Sequence, residues 1–124
     1  PKDITSIVKS VEKKTLGNKT ITLNIALNYG SKEEIVNACK SLALKEKKKI
    51  NVNNFEKKLY TKNIPDPEIL IRTGGTQRLS NFLLWQLAYA EIFFLNKMWP
   101  DFTEGDFNKI TSKFHRIKRN FGKI

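Results

Sequence analysis

Apolar residues recur along the chain with two periods, and the changes between them mark alternating helices and strands. Residues 3–15 place Ile4, Ile7, Val8 and Val11 on one face, which predicts an amphipathic helix. Residues 20–27 (TITLNIAL) are β-branched and apolar, a predicted strand that ends in the turn Asn28-Tyr29-Gly30. Ser31 with Glu34 reads as a capping box, and Ile35, Ala38 and Leu42 follow at helical spacing. The polar stretch 45–54 reads as a loop, and a short helix from about Asn54 carries Phe55 and Leu59. Ile64-Pro65-Asp66-Pro67 ends that helix, because residues before proline resist the helical region, and leads into a strand at 68–72. Ser80 is the predicted N-cap of a helix over 81–91 that is apolar almost all round (Phe82, Leu83, Leu84, Trp85, Leu87, Ala88 and Tyr89), so it should be buried. A strand at 92–95 and a turn at Trp99-Pro100-Asp101 come next. Thr103 with Asp106 then opens a last helix striped by Phe107, Ile110, Phe114, Ile117 and Phe121. The alternation implies a single α/β domain over residues 1–124, a parallel sheet with flanking helices, without repeats.

Composition narrows the partners. With 124 residues the core can only be modest, so missing neighbours would matter. No apolar run reaches membrane-spanning length, and no signal-peptide pattern stands at the start. The single cysteine, Cys39, excludes an internal disulfide, fits a reducing cytoplasm, and lies beside Ile35, Ala38 and Leu42 as a predicted buried thiol. The formal charge of +11 points to an anionic partner: nucleic acid, a phosphorylated small molecule or an anionic membrane surface. Aromatic residues are not interleaved with the basic clusters and no recognition motif is present, which argues against nucleic acid. Most of the basic residues are lysines on solvated faces, including the run 45–49. Arginine occurs only as Arg72, Arg78, Arg116 and Arg119.

Two of those arginines bracket a glycine loop. The unit is strand, Arg72-Thr73-Gly74-Gly75-Thr76-Gln77-Arg78-Leu79-Ser80, then the predicted helix. Ligands of open parallel sheets bind beyond the carboxyl ends of strands, and this loop leaves such an end. Gly74 and Gly75 would let backbone amides approach an oxyanion, and the helix N-terminus would add free N–H groups. Ser80 supplies a hydroxyl, while Arg72 and Arg78 supply bidentate forks suited to a diphosphate. The loop is neither a Walker A sequence nor a GxGxxG fingerprint, so nucleotide binding is not indicated.

The run Ile71-Arg72-Thr73-Gly74-Gly75 is followed by Arg78-Leu79-Ser80-Asn81-Phe82-Leu83-Leu84-Trp85-Gln86, by Ala88-Tyr89-Ala90-Glu91 and by Trp99-Pro100-Asp101-Phe102. This ordered string closely resembles the signature of cis-prenyltransferases of the undecaprenyl diphosphate synthase type, in their C-terminal half. Weaker similarity runs back through Asn24-Ile25-Ala26 and Asn28-Tyr29-Gly30 and forward to Phe121-Gly122. The resemblance implies an enzyme that condenses isopentenyl diphosphate with an allylic diphosphate of the farnesyl type. The product would be a long polyprenyl diphosphate, such as undecaprenyl diphosphate for the cell-wall lipid carrier. It implies that Arg72, Arg78 and Ser80, with Gly74 and Gly75, bind isopentenyl diphosphate, and that Glu91 is the acidic residue associated with Mg²⁺. It further implies a cytoplasmic homodimer that contacts the membrane peripherally to release product.

The family's N-terminal half holds an Asp-Gly-Asn-Gly-Arg-Trp-like loop with the catalytic aspartate, together with the allylic site. Neither occurs in these residues, so the chain alone is expected to be inactive, with no catalytic residue of its own identified. Thr76-Gln77 stands where relatives often carry Glu and a variable residue, so a metal ligand from this loop is not expected. Relatives often end in Arg-x-Gly, an arm completing the partner subunit's site; here Asn120 stands two places before Gly122, and Arg119 and Gly122 are the candidate arm after a change of register. The rival reading is a non-catalytic partner subunit of a heteromeric prenyltransferase, which would not need Arg72, Arg78 and Ser80 together. His115, the only histidine, has no catalytic partner nearby in sequence and is expected at the surface.

Overall fold

A computed structural model describes residues 2–45 and 50–120. Most of the lysine run 45–49, together with Phe121 and Gly122, lies outside the described residues. The order of elements is α1 (Lys2–Thr15), α2 (Ser31–Lys45), α3 (Val52–Glu56), β1 (Ile69–Arg72), β2 (Glu91–Phe94), a 3₁₀ turn (Trp99–Asp101) and α4 (Glu104–Phe114). β1 and β2 pair in parallel, with Ile69 opposite Glu91 and Arg72 opposite Phe94. The α/β class and the parallel pairing are therefore as the alternation predicts.

The core lies between α2 and α3. Ala38, Leu42, Phe55 and Leu59 are buried together, with Ile35 and Trp85 packed against them. The Trp85 indole lies 4.4 Å from the Phe55 ring centroid and donates to Glu56 Oε1 at 3.3 Å, so its polar edge is satisfied where its face is dry. α3 begins at Val52, with the Asn51 side chain accepting from the Asn54 amide at 2.9 Å. The capping box at the start of α4 forms as predicted: Thr103 Oγ1 accepts from the Asp106 amide, and the Asp106 carboxylate accepts from the Thr103 amide. Lys97 Nζ joins the same carboxylate at 2.8 Å and, with the two Thr103 bonds, holds the Asp106 carboxyl well below the usual range.

Several expectations are corrected. Residues 20–27 form no strand, and Ile21, Leu23, Ile25 and Leu27 are exposed. A strand needs a neighbour for its ladder, and the described residues give this one none. Residues 81–90 are a succession of turns rather than a helix. Ser80, Asn81 and Leu83 have φ of 49°, 63° and 44°, which a right-handed helix cannot accommodate. Phe82 and Tyr89 are consequently exposed, while Gln86 and Leu87 are buried. Ser31 and Glu34 form no capping box, because both side chains bond elsewhere. Ser31 Oγ accepts from the Leu84 amide, and the Glu34 carboxylate accepts from the Tyr29 hydroxyl, the Tyr60 amide and Gln86 Nε2. α4 stops at Phe114, so Ile117 lies beyond it. Cys39 is exposed, although Ala38 and Leu42 on the same helix are buried.

Candidate functional site

β1 ends at Arg72, and the loop that follows turns sharply at Gly74 and Gly75, with φ of 91° and 70°. A Cβ would find room at either position, so glycine is required there by the left-handed backbone and not by crowding. The turn is pinned to the exit of β2. The Gly74 amide donates to the Lys97 carbonyl at 2.7 Å and the Gly75 amide to the Leu95 carbonyl at 2.9 Å. The expectation that these two amides face an oxyanion is therefore corrected: both are used in joining the two loops. The helix N-terminus expected after Ser80 is also missing, since the segment there is not helical.

What the turn does bring together is side chains. Arg72 is half-buried; its Nε donates to Thr76 Oγ1 at 3.0 Å and its Nη1 to Ser80 Oγ at 3.2 Å. Residues eight apart in sequence thus present a guanidinium and two hydroxyls at one place beyond the strand end. Arg78 is exposed on the same loop, without a hydrogen-bond or ion-pair partner among the described residues. A guanidinium, hydroxyls and a second free guanidinium can hold the oxygens of a diphosphate through charge-assisted hydrogen bonds. Thr76 is the member of this group that sequence reasoning passes over. Its signal is a hydroxyl four residues after the strand-end arginine, inside a loop whose glycines fold it back.

Glu91 does not lie at a helix end but opens β2, opposite Ile69. Arg72 pairs three residues further along the strand, about 10 Å away at the usual rise per residue. Among the described residues no three His, Cys, Asp or Glu side chains come together. Mg²⁺ takes near-octahedral oxygen ligands and is commonly held by one or two carboxylates together with substrate diphosphates and waters, so Glu91 would supply one protein ligand and the rest would come from outside these residues. Arg119 is folded onto its own chain. Its Nη1 pairs with Glu68 Oε1 at 2.7 Å, its Nη2 donates to the Tyr89 carbonyl at 3.0 Å, and the guanidinium lies 5.3 Å from the Phe114 ring centroid. His115 is exposed, with Nδ1 2.6 Å from the Thr111 carbonyl oxygen.

The class is α/β with a parallel strand pair, and a strand-end arginine on a glycine turn is an arrangement that can receive an anion. The particular family follows from comparison: the family model of undecaprenyl diphosphate synthase matches residues 1–122, and the chain belongs to that prenyltransferase family. An isoprenyl transferase of Prochlorococcus marinus is 45% identical over 130 aligned residues, covering 100% of this chain and 48% of the relative. The ditrans,polycis-undecaprenyl-diphosphate synthase ((2E,6E)-farnesyl-diphosphate specific) of Haemophilus influenzae is 45% identical over 121, covering 93% of this chain and 51% of its own. The crystal structure of lavandulyl diphosphate synthase from Lavandula x intermedia, in complex with dimethylallyl diphosphate, superposes with a TM-score of 0.93 at 34% identity. It covers 99% of this chain and 56% of that one. The chain spans about half the length of the curated relatives it matches.

Proposed function

We propose that these residues supply the isopentenyl-diphosphate site of a cis-prenyl chain-elongating enzyme. The observation that carries the reading is the Arg72 guanidinium, held by Thr76 and Ser80 at the end of β1. The exposed Arg78 stands on the same loop. Arg72 and Arg78 bind the diphosphate oxygens, and Ser80 orients the Arg72 fork while offering its own hydroxyl. Fixing the diphosphate orients the alkene of isopentenyl diphosphate for attack on an allylic partner and replaces a bimolecular encounter with an aligned one. The leaving pyrophosphate belongs to the allylic substrate. Any divalent ion would take most of its oxygen ligands from the substrates' diphosphates. The 124 residues by themselves bind isopentenyl diphosphate without condensing it.

Titration calorimetry with isopentenyl diphosphate tests the reading. Saturable binding is expected, and Arg72→Ala should weaken it roughly 10- to 100-fold, the equivalent of losing hydrogen bonds to a charged group. Arg78→Ala should weaken it too, with smaller loss because its side chain is more exposed. Equal affinity in wild type and Arg72→Ala would end the proposal. Turnover of isopentenyl and farnesyl diphosphates by the same protein would end the claim that these residues bind without condensing.

A further inference from the structure

Ser80, Asn81 and Leu83 all stand in the left-handed region, although none is glycine. Each such conformation is strained and persists only where its surroundings over-determine it. Here the surroundings are the first turn of α2. The Asn81 carbonyl accepts from the Ser31 amide at 2.8 Å, Asn81 Oδ1 accepts from the Lys32 amide at 2.8 Å, and Asn81 Nδ2 donates to Glu33 Oε2 at 3.1 Å. Three residues on, the Leu84 amide donates to Ser31 Oγ at 2.9 Å. The first amides of a helix have no partner within it. α2 obtains two of its partners from Asn81, a residue about fifty positions later in the chain. Asparagine suits the position twice over: it tolerates left-handed backbone, and its amide both donates and accepts.

The junction is also closely fitted from the other side. A Cβ at Gly30 would fall inside the space of Glu33 Oε2 and within 2.8 Å of Asn81 Nδ2. Gly30 therefore leaves the room in which Asn81 and Glu33 meet. One residue before Asn81, the Ser80 hydroxyl receives Arg72 Nη1. The direction of that hydroxyl depends on the backbone at 80 and 81, and the backbone at 81 is held by α2.

We propose that Asn81 is a positioning residue: by closing the N-terminus of α2 it locks residues 80–84 in the conformation that presents Ser80 to Arg72 and the diphosphate. The inference rests on the isopentenyl-diphosphate reading above, and it adds α2, an element far from the strand end in sequence, to what shapes the site. Asn81 itself touches no substrate in this scheme.

The test is calorimetric titration of isopentenyl diphosphate into the wild type, Asn81→Ala, Asn81→Asp, Ser80→Ala and the Ser80→Ala/Asn81→Ala pair, with thermal melts of each. Asn81→Ala should lose about tenfold in affinity, as expected when a hydrogen-bonded support is withdrawn. Asn81→Asp keeps the acceptor for the Lys32 amide and tolerates the left-handed backbone, but it loses the donor to Glu33 and sets two carboxylates together, so it should recover only part of the lost affinity. In the Ser80→Ala background the Asn81→Ala loss should vanish, because a support acting through Ser80 is not additive with its removal. A purely structural role would give the same loss in both backgrounds, and that result overturns the proposal, as does unchanged affinity in Asn81→Ala. If Asn81→Ala does not fold, Glu33→Ala, at an exposed position, takes its place in the same cycle: its smaller loss must also vanish with Ser80→Ala, and persistence overturns the proposal. Failure of the reading itself looks different, since Arg72→Ala would then bind as the wild type does.

Discussion

Helices α1 and α2 carry the same kind of apolar stripe and meet opposite fates. On α2, Ala38 and Leu42 are 1% exposed, packed on Phe55, Leu59 and Trp85. On α1, Ile4, Ile7, Val8 and Val11 are exposed, Ile7 to 62%. Periodicity thus establishes a helix and the face it would bury, but burial itself is a property of neighbours. α2 has them in three forms. α3 covers its stripe, the 80–84 segment closes its first turn, and Glu34 from its first turn gathers the Tyr29 hydroxyl, the Tyr60 amide and Gln86 Nε2. A fully buried carboxylate is costly unless its oxygens are bonded, and these three donors make that burial tolerable.

The comparison can be broken most forcefully at Leu42. Leu42→Ala should lower the unfolding free energy by about 2–5 kcal/mol in urea denaturation, the range for emptying a packed leucine site. A loss below about 0.5 kcal/mol, the surface value, would mean that the α2–α3 cluster does not carry the fold.

A smaller effect separates the helices by pH. Burial first, and then its bond to Glu34, push the Tyr29 hydroxyl up from 10.0 to about 12. An acid whose folded pKa is raised favours the folded state while neutral; its contribution is intact below about pH 10 and is lost as pH rises towards 12. The wild-type melting midpoint should therefore fall more steeply across that window than that of Tyr29→Phe. Parallel curves would show that Tyr29 does not report on the Glu34 cluster.

The smallest expected effect is at the exposed stripe. Ile7→Ala should change stability by no more than about 0.5 kcal/mol, as surface substitutions do. A loss approaching that of Leu42→Ala would show that α1 is covered in solution by a partner, and the contrast between the helices would then disappear.

Legibility followed the range of the interactions involved. The Thr103–Asp106 box was readable because donor and acceptor lie three residues apart and compete with nothing distant. Ser31 and Glu34 have the same spacing and letters, yet Leu84, Tyr29, Tyr60 and Gln86 claim their side chains. The apolar run after Ser80 has helical composition, but the carbonyl and side chain of Asn81 are held by α2, and three left-handed residues interrupt the helix. At the site, the arginines, hydroxyl and glycines could be named from their order after a strand. That the glycine amides join the exit of β2, leaving side chains to face a ligand, could not.

The amino-acid sequence by itself therefore determined the α/β class, the positions of α1, α2, β1, β2 and α4, the glycine loop with its arginines, and the family. These rest on propensities, periodicities and an ordered motif, all of which are local. Tertiary structure alone decided which stripe is buried, whether residues 20–27 acquire a ladder, how 80–90 run, and which donors remain for a ligand. Each of those depends on where a backbone amide or an apolar face finds its partner, and such partners lie tens of residues away along the chain.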